Sequence, residues 1–119
     1  MGKEIVTGLG VITISKDVIA TLAGIATTEC FGVVGMVSSR IFSDGISELL
    51  GREALSKGVD VAIRDDVLHI RVNVVVGYGN RVSVIATNII ENVKYIVEKH
   101  TGLIVDQVDV NVQAVRVVD

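Results

Sequence analysis

Proline and tryptophan are absent from this 119-residue chain, and cysteine occurs once, at Cys30. Without proline, turns must be made by Gly, Asn, Asp and Ser. A lone cysteine cannot form an intrachain disulfide, which suits a reducing cytosol. Aromatic residues make up only 3% of the chain, so its core must be aliphatic. Long apolar runs are scarce as well. The nearest, Val18 to Ser39, carries Glu29 near its middle, three glycines and several hydroxyl residues. A membrane span needs about 20 predominantly apolar residues, and a central carboxylate opposes insertion. No transmembrane segment is expected, and M-G-K-E-I-V lacks the apolar stretch of a signal peptide. The formal charge of −3 is spread over scattered residues of both signs. A nucleic-acid binder shows a basic patch or stripe, and no dense Lys/Arg cluster is present, so nucleic acid is not an expected partner.

What the chain does contain is valine and isoleucine, within a hydrophobic content of 50%. Those side chains favour the pleated surface of a sheet. Glu4 to Ile14 reads as an extended strand or hairpin-like pair loosened by Gly8 and Gly10. Ser15 is a natural helix N-cap, and Asp17 adds negative charge to the first turn. Val18, Leu22, Ile25 and Ala26 recur at helical spacing and predict the buried face of that helix. Gly32 to Ser39 reads as a short strand. D-G-I-S-E-L-L-G-R-E-A-L-S then predicts a short helix or helical loop with Ile46, Leu49 and Leu50 on one side.

The period changes to two at G-V-D-V-A-I-R, where Val59, Val61 and Ile63 face one way. After a turn at Asp65–Asp66, Leu68, Ile70, Val72, Val74 and Val76 answer them, with His69, Arg71 and Asn73 facing water. V-G-Y-G-N-R turns the chain into a long helix, Val82 to His100, buried through Ile85, Ile89, Val93 and Ile96. Asn88, Glu91, Lys94 and Glu98 lie away from that stripe. Gly102 supplies the left-handed position that ends it. The last strand points Val108, Val110 and Val112 inward, and a phase change between Ala114 and Val115 marks a bulge or sheet edge. The expected fold is α+β, a two-layer sandwich ordered β-α-β-(short α)-β-β-α-β. It has a single mixed sheet with the helices on one face. No linker or repeat divides it, so residues 1–119 read as one domain.

Candidate chemistry is sparse. Cys30 falls at a helix C-terminus beside Glu29, where a thiolate is disfavoured, so it reads as a small packed hydrophobe. Gly32-Val33-Val34-Gly35 has the G-x-x-G form of a nucleic-acid-gripping loop. It lacks a basic residue and leads into a strand, so it reads as a glycine turn. His69 and His100 stand apart, without the three or four ligands of a zinc site. Asp65 and Asp66 are neighbours in a turn and point apart, unlike carboxylates converging on a pocket. No catalytic residue, cofactor site or metal site is assigned. Tyr78 between two glycines, with Arg81 close by, is the candidate partner contact.

The ordered segments resemble the alkaline-shock protein/Gls family of Gram-positive envelope-stress proteins, in its short YloU-like branch. The matching stretches are G-V-I-T-I-S (Gly10 to Ser15), G-V-V-G-M (Gly32 to Met36), K-G-V-D-V (Lys57 to Val61) and V-G-Y-G-N-R-V (Val76 to Val82). V-K-Y-I-V-E, T-G-L-I-V (Thr101 to Val105) and the closing V-D-V-N-V-Q-A-V complete the set. The resemblance implies a non-catalytic cytoplasmic interaction or scaffold protein of envelope stress and homeostasis, tied to lipid metabolism. It also implies protein partners, either membrane-anchored or of the dihydroxyacetone-kinase-like, fatty-acid-kinase kind, and association with the membrane through such a partner. Exposed sheet edges allow a homo-oligomer. The alternative is a small-molecule module that handles an acyl or phosphorylated ligand for a kinase-like partner.

Overall fold

The computed structural model describes residues 2–38 and 49–117. Its elements are β1 (Lys3–Val6), β2 (Val11–Ile14), α1 (Lys16–Thr28), β3 (Val33–Met36), a 3-10 segment (Arg52–Gly58), β4 (Val59–Arg64), β5 (Val67–Gly77), α2 (Val82–Thr101) and β6 (Val105–Arg116). β5 is the axis of the sheet. One of its edges pairs with parallel β6 from Leu68–Val105 to Gly77–Arg116. Its other edge is shared end to end by two antiparallel partners. β4 takes Val67 to Val72, and β3 takes Val74 to Val76.

Both helices cover one face of this mixed sheet, as the two-layer reading requires. Leu68, Ile70, Val72, Val74 and Val76 of β5 meet Ile19, Ala23 and Ala26 of α1 and Ile85, Ile89, Val93 and Val97 of α2. Burial of each large aliphatic side chain contributes roughly 1.5–3 kcal/mol. Ser15 Oγ accepts the Val18 N–H at 3.2 Å, as an N-cap should. Gly102 closes α2 with φ 74°. Asp65 (φ 51°) and Asp66 (φ 66°) make the β4–β5 turn with both central residues left-handed, the twist a two-residue hairpin loop prefers. The phase change near the end of β6 is a bulge, with Val112 opposite Val74 and Ala114 opposite Val75, so that Gln113 is the extra residue.

Several expectations are corrected. The opening segment does not join a single sheet: β1 and β2 pair only with each other among the described strands. α1 begins at Lys16, directly after β2, which leaves no chain to carry β2 to a sheet edge. The buried face of α1 is Ile19, Ala20, Ala23, Gly24, Ala26 and Thr27, whereas Val18 and Ile25 are 48% and 40% exposed. Small residues make that face inward because the helix sits close against the 3-10 segment. A Cβ on Gly24 would stand 2.9 Å from Leu55 Cβ. In α2, Val97 is fully buried and Ile96 only partly so.

Of the short helix or helical loop expected over residues 44–56, the part from Arg52 onward is the 3-10 segment, while Ile46 falls outside the described residues. Leu49 and Leu50 are extended ahead of it: Leu49 bridges Val37, and the Leu50 N–H donates to Met36 O at 2.8 Å. Glu98, expected to point away from the core, accepts the Val105 N–H at 2.9 Å and ties the end of α2 to β6.

Asn73 is the largest departure. Expected on the wet face, it is 2% exposed. It stands where β4 gives way to β3, and both polar atoms of its side chain are used. Its Nδ2 donates to Gly58 O at 3.1 Å. Its Oδ1 accepts from Asn111 Nδ2 at 3.1 Å and from Gln113 Nε2 at 3.3 Å. Its backbone carbonyl accepts the Val37 N–H at 3.2 Å. Replacing Asn73 by Ala removes the side-chain partner of the Gly58 carbonyl and breaks both links to the β6 amides of Asn111 and Gln113. Urea unfolding of N73A should show a loss of about 1–3 kcal/mol, well beyond the effect of an ordinary surface substitution.

Candidate functional site

The turn V-G-Y-G-N-R connects β5 to α2 and meets the α1–β3 turn at one pole of the sandwich. The Gly77 N–H donates to Gly32 O at 2.9 Å, and the Tyr78 N–H to Arg116 O at 2.7 Å. Asn80 Nδ2 closes the turn on Gly77 O at 3.3 Å. Gly32 is held at φ 90°, and a Cβ there would lie 2.5 Å from Ile85 Cδ1. This close approach leaves the side chain of Phe31 outside the core. Phe31 is 81% exposed and Tyr78 74% exposed.

Two open grooves flank Phe31 and Asn80. One, of about 400 Å³, runs along Gly32, Val33, Val34, Gly77 and Tyr78. The other, of about 170 Å³, is lined by Arg81, Val84, Ile85 and Asn88. Tyr78 and Arg81 therefore share a pole but line different grooves. The Arg81 carbonyl accepts the Val84 and Ile85 N–H groups at 3.1 Å, and its guanidinium has no ion-pair partner among the described residues. Sequence reasoning missed Phe31. The available signal was a large aromatic placed directly before a turn glycine, where the backbone cannot fold it inward.

Elsewhere the chemistry-bearing residues have structural settings. Cys30 is half-buried, with Sγ 3.4 Å from Ala26 O and Asn92 Nδ2 at 3.9 Å. Burial pushes its thiol pKa up and neighbouring Glu29 adds to this, while the Asn92 hydrogen bond opposes them. The glycine pair Gly32/Gly35 is a turn followed by a strand residue opposite Val75. His69 Nε2 lies 3.7 Å from an Asp106 carboxylate oxygen. Among the described residues no three His, Cys, Asp or Glu converge as metal ligands. Asp66 takes a hydrogen bond and an ion pair from Lys3, which hold its pKa below the usual carboxylate value. Among the described residues no helix is long and apolar enough to cross a membrane.

A further groove, of about 480 Å³, lies on the helix-free face of the sheet. Ala62 leaves space there between Asp60 and Arg64, opposite His69 and Arg71. The described parts define a small α+β sandwich whose most exposed aromatic surface is a pole built by two glycine turns.

The chain belongs to the alkaline-shock protein family, described as having a cell envelope-related function, whose model matches residues 4–117. It is 43% identical over 117 residues to YloU of Bacillus subtilis, an alignment covering 98% of each chain. It is 42% identical over 118 residues to Spy1614 of Streptococcus pyogenes, covering 99% of this chain and 98% of that one. YqhY of Bacillus subtilis is 31% identical over 92% of this chain and 80% of its own. All three relatives are named as uncharacterized proteins. No solved structure matches the chain significantly.

Two outcomes follow from this geometry. Because the folded state favours the neutral Cys30 thiol, its stabilising contribution is complete below the unfolded thiol pKa. It is lost as pH rises through the folded value. Alkylation by iodoacetamide at pH 8 should be slower in the folded chain than in urea, and faster alkylation when folded would contradict the assignment. Gly32→Ala should destabilise the fold by about 1–3 kcal/mol, from left-handed strain combined with the Ile85 clash. Thermal unfolding measures that loss.

Proposed function

We propose that the chain is a non-catalytic interaction module of the cell envelope, with Phe31, Tyr78 and Arg81 as its partner contact. One observation carries this reading. Among the described residues, Phe31 and Tyr78 stand exposed together at one pole, near Arg81, whose guanidinium has no ion-pair partner among those residues. Tyrosine and arginine are the residues most enriched where binding energy concentrates, and an exposed aromatic has no role in the stability of its own core. The family description supplies the envelope context. The finer reading is a cytoplasmic protein brought to the membrane by a partner and linked to lipid homeostasis. It rests on the family resemblance, as do a kinase-like or membrane-anchored partner.

The test is affinity purification from cells in which the chain is native, comparing wild type with the double variant Tyr78→Ser/Arg81→Glu. Both side chains are exposed, so the variant should unfold within about 0.5 kcal/mol of wild type. A co-purifying protein should fall by about tenfold or more, as expected when anchoring contacts are removed. An unchanged set of co-purifying proteins would count against the pole.

The small-molecule reading has the groove over Ala62 in its favour. Arg64 and Arg71 border it, without ion-pair partners among the described residues. Inorganic phosphate or a short fatty acid bound there should raise the melting temperature saturably. Arg71→Ala should abolish the rise, and a flat response to both ligands removes this reading.

A further inference from the structure

The β1–β2 hairpin is an arm with little to hold it. Its partly buried contacts with the body are Ile5 and Ile14, and Lys3 ties its base to Asp66 in the β4–β5 turn. Towards the tip, Val6 is 76% exposed, Leu9 fully exposed at 103%, Val11 58% and Ile12 51%. Thr7 organises the turn between the strands, its Oγ1 accepting the N–H groups of Leu9 and Gly10. The stretch from Ile5 to Ile14 holds no charged residue. A two-stranded hairpin is marginal on its own in water, and one that ends in bare aliphatic side chains gains stability by burying them.

The arm and the Phe31/Tyr78 pole lie at opposite ends of the molecule. The arm leads directly into the N-terminus of α1, whereas Phe31 follows its C-terminus, 13 helical residues further on. The base of the arm is tied to the start of β5, and Tyr78 follows the end of that 11-residue strand. The long axis of the chain measures 54 Å against 31 and 23 Å across. An apolar projection at one end and open grooves beside exposed Phe31 and Tyr78 at the other form the two halves of a head-to-tail contact.

We infer that the occupant of the pole is the arm of a second copy of this chain, an inference that rests on the pole being the partner contact. Leu9 seats in the groove between Phe31 and Tyr78, and Val6 and Val11 widen the apolar contact. Charge supports the pairing. Glu4 shares the outer face of the arm with Val6 and Val11, given the Glu4–Thr13 and Val6–Val11 pairs. The pole presents Arg81 and Arg116, neither of them ion-paired among the described residues. A lipid surface is a poorer occupant for the arm. The tip has no Trp, Tyr, Lys or Arg to anchor it at a headgroup layer, and Lys3 is held by Asp66. A contact between different surfaces on identical chains is heterologous, so it propagates as an open series unless the rotation closes a ring.

Sedimentation velocity on the full chain tests this with two variants, Leu9→Asp in the arm and Phe31→Ser/Tyr78→Asp in the pole. All three substituted side chains are exposed, and circular dichroism confirms that each variant is folded. Wild type should form concentration-dependent species larger than a dimer, or a ring. Each variant alone should be monomeric. Mixed together, they should give a discrete heterodimer, because the intact arm of one meets the intact pole of the other. A wild type that stays monomeric at high concentration overturns the inference, and so does a mixture that fails to pair. Flotation of a monomeric wild type with phosphatidylglycerol vesicles that depends on Leu9 also overturns it and makes a membrane the occupant. The two readings fail separately. If the pole variant loses a co-purifying protein while Leu9→Asp changes nothing, the arm inference falls and the pole stands. If neither variant changes any association, both fall.

Discussion

The pairing of β5 along both edges is the constraint that organises the whole structure. One edge is filled by a single parallel strand, the other by two short antiparallel strands laid end to end. Such an arrangement leaves a break in the ladder where β4 stops and β3 starts, and an unfilled break inside a sheet exposes backbone groups that must find partners. Asn73 fills it. Its amide reaches the Gly58 carbonyl just before β4, and its carbonyl oxygen gathers two side-chain amides from β6. A valine at this position would suit the burial of the site and leave the junction unbonded. Because β5 is thereby held in register on both sides, the even-numbered side chains from Leu68 to Val76 form the unbroken floor on which both helices lie.

From that floor the geometry of the pole follows. β5 ends at Gly77, whose N–H is taken by Gly32 O. The two turns are thus locked together by backbone alone, with glycine where side chains would collide. Locking the backbone leaves the neighbouring side chains without room inside. Phe31 and Tyr78 are displayed by the same close packing that makes the core, and no segment is devoted to presenting them. At the far end the reverse holds. α1 starts so soon after β2 that the hairpin cannot reach the sheet, and its aliphatic side chains remain outside.

Much of this was readable from alternation and spacing. β4, β5, α2 and the glycine that ends it, the N-cap at Ser15 and the aspartate turn all follow from short-range rules, because local backbone geometry decides them. The inward face of α1 did not follow. Hydrophobic size pointed to Val18 and Ile25, but close approach to the 3-10 segment rewards Ala20, Ala23 and Gly24, and apolar bulk is a poor guide where backbones nearly touch. The short helix or helical loop expected over residues 44–56 is found from Arg52 onward as the 3-10 segment, but Leu49 and Leu50 are extended, because their pairing with Val37 and Met36 is a long-range fact. Of the candidate contact, Tyr78 and Arg81 were legible as an aromatic between glycines with a nearby cation. Phe31 was not legible, because its exposure depends on the close approach of Gly32 to Ile85.

Local sequence settled most of the regular elements and their order and the aliphatic nature of the core. The family signature was likewise carried by segments such as G-V-V-G-M and V-G-Y-G-N-R-V. Each of these depends on residues within a few positions of one another. Which side chains share a surface was settled by packing instead. The folded layers bring Phe31 to Tyr78 across 47 positions of sequence and bury Asn73 among amides 38 and 40 residues away. They also set the arm and the pole at opposite ends of one molecule. Burial and proximity are properties of the packed layers, and no local pattern in a chain of alternating valines can distinguish a face that meets water from one that meets another strand's amides.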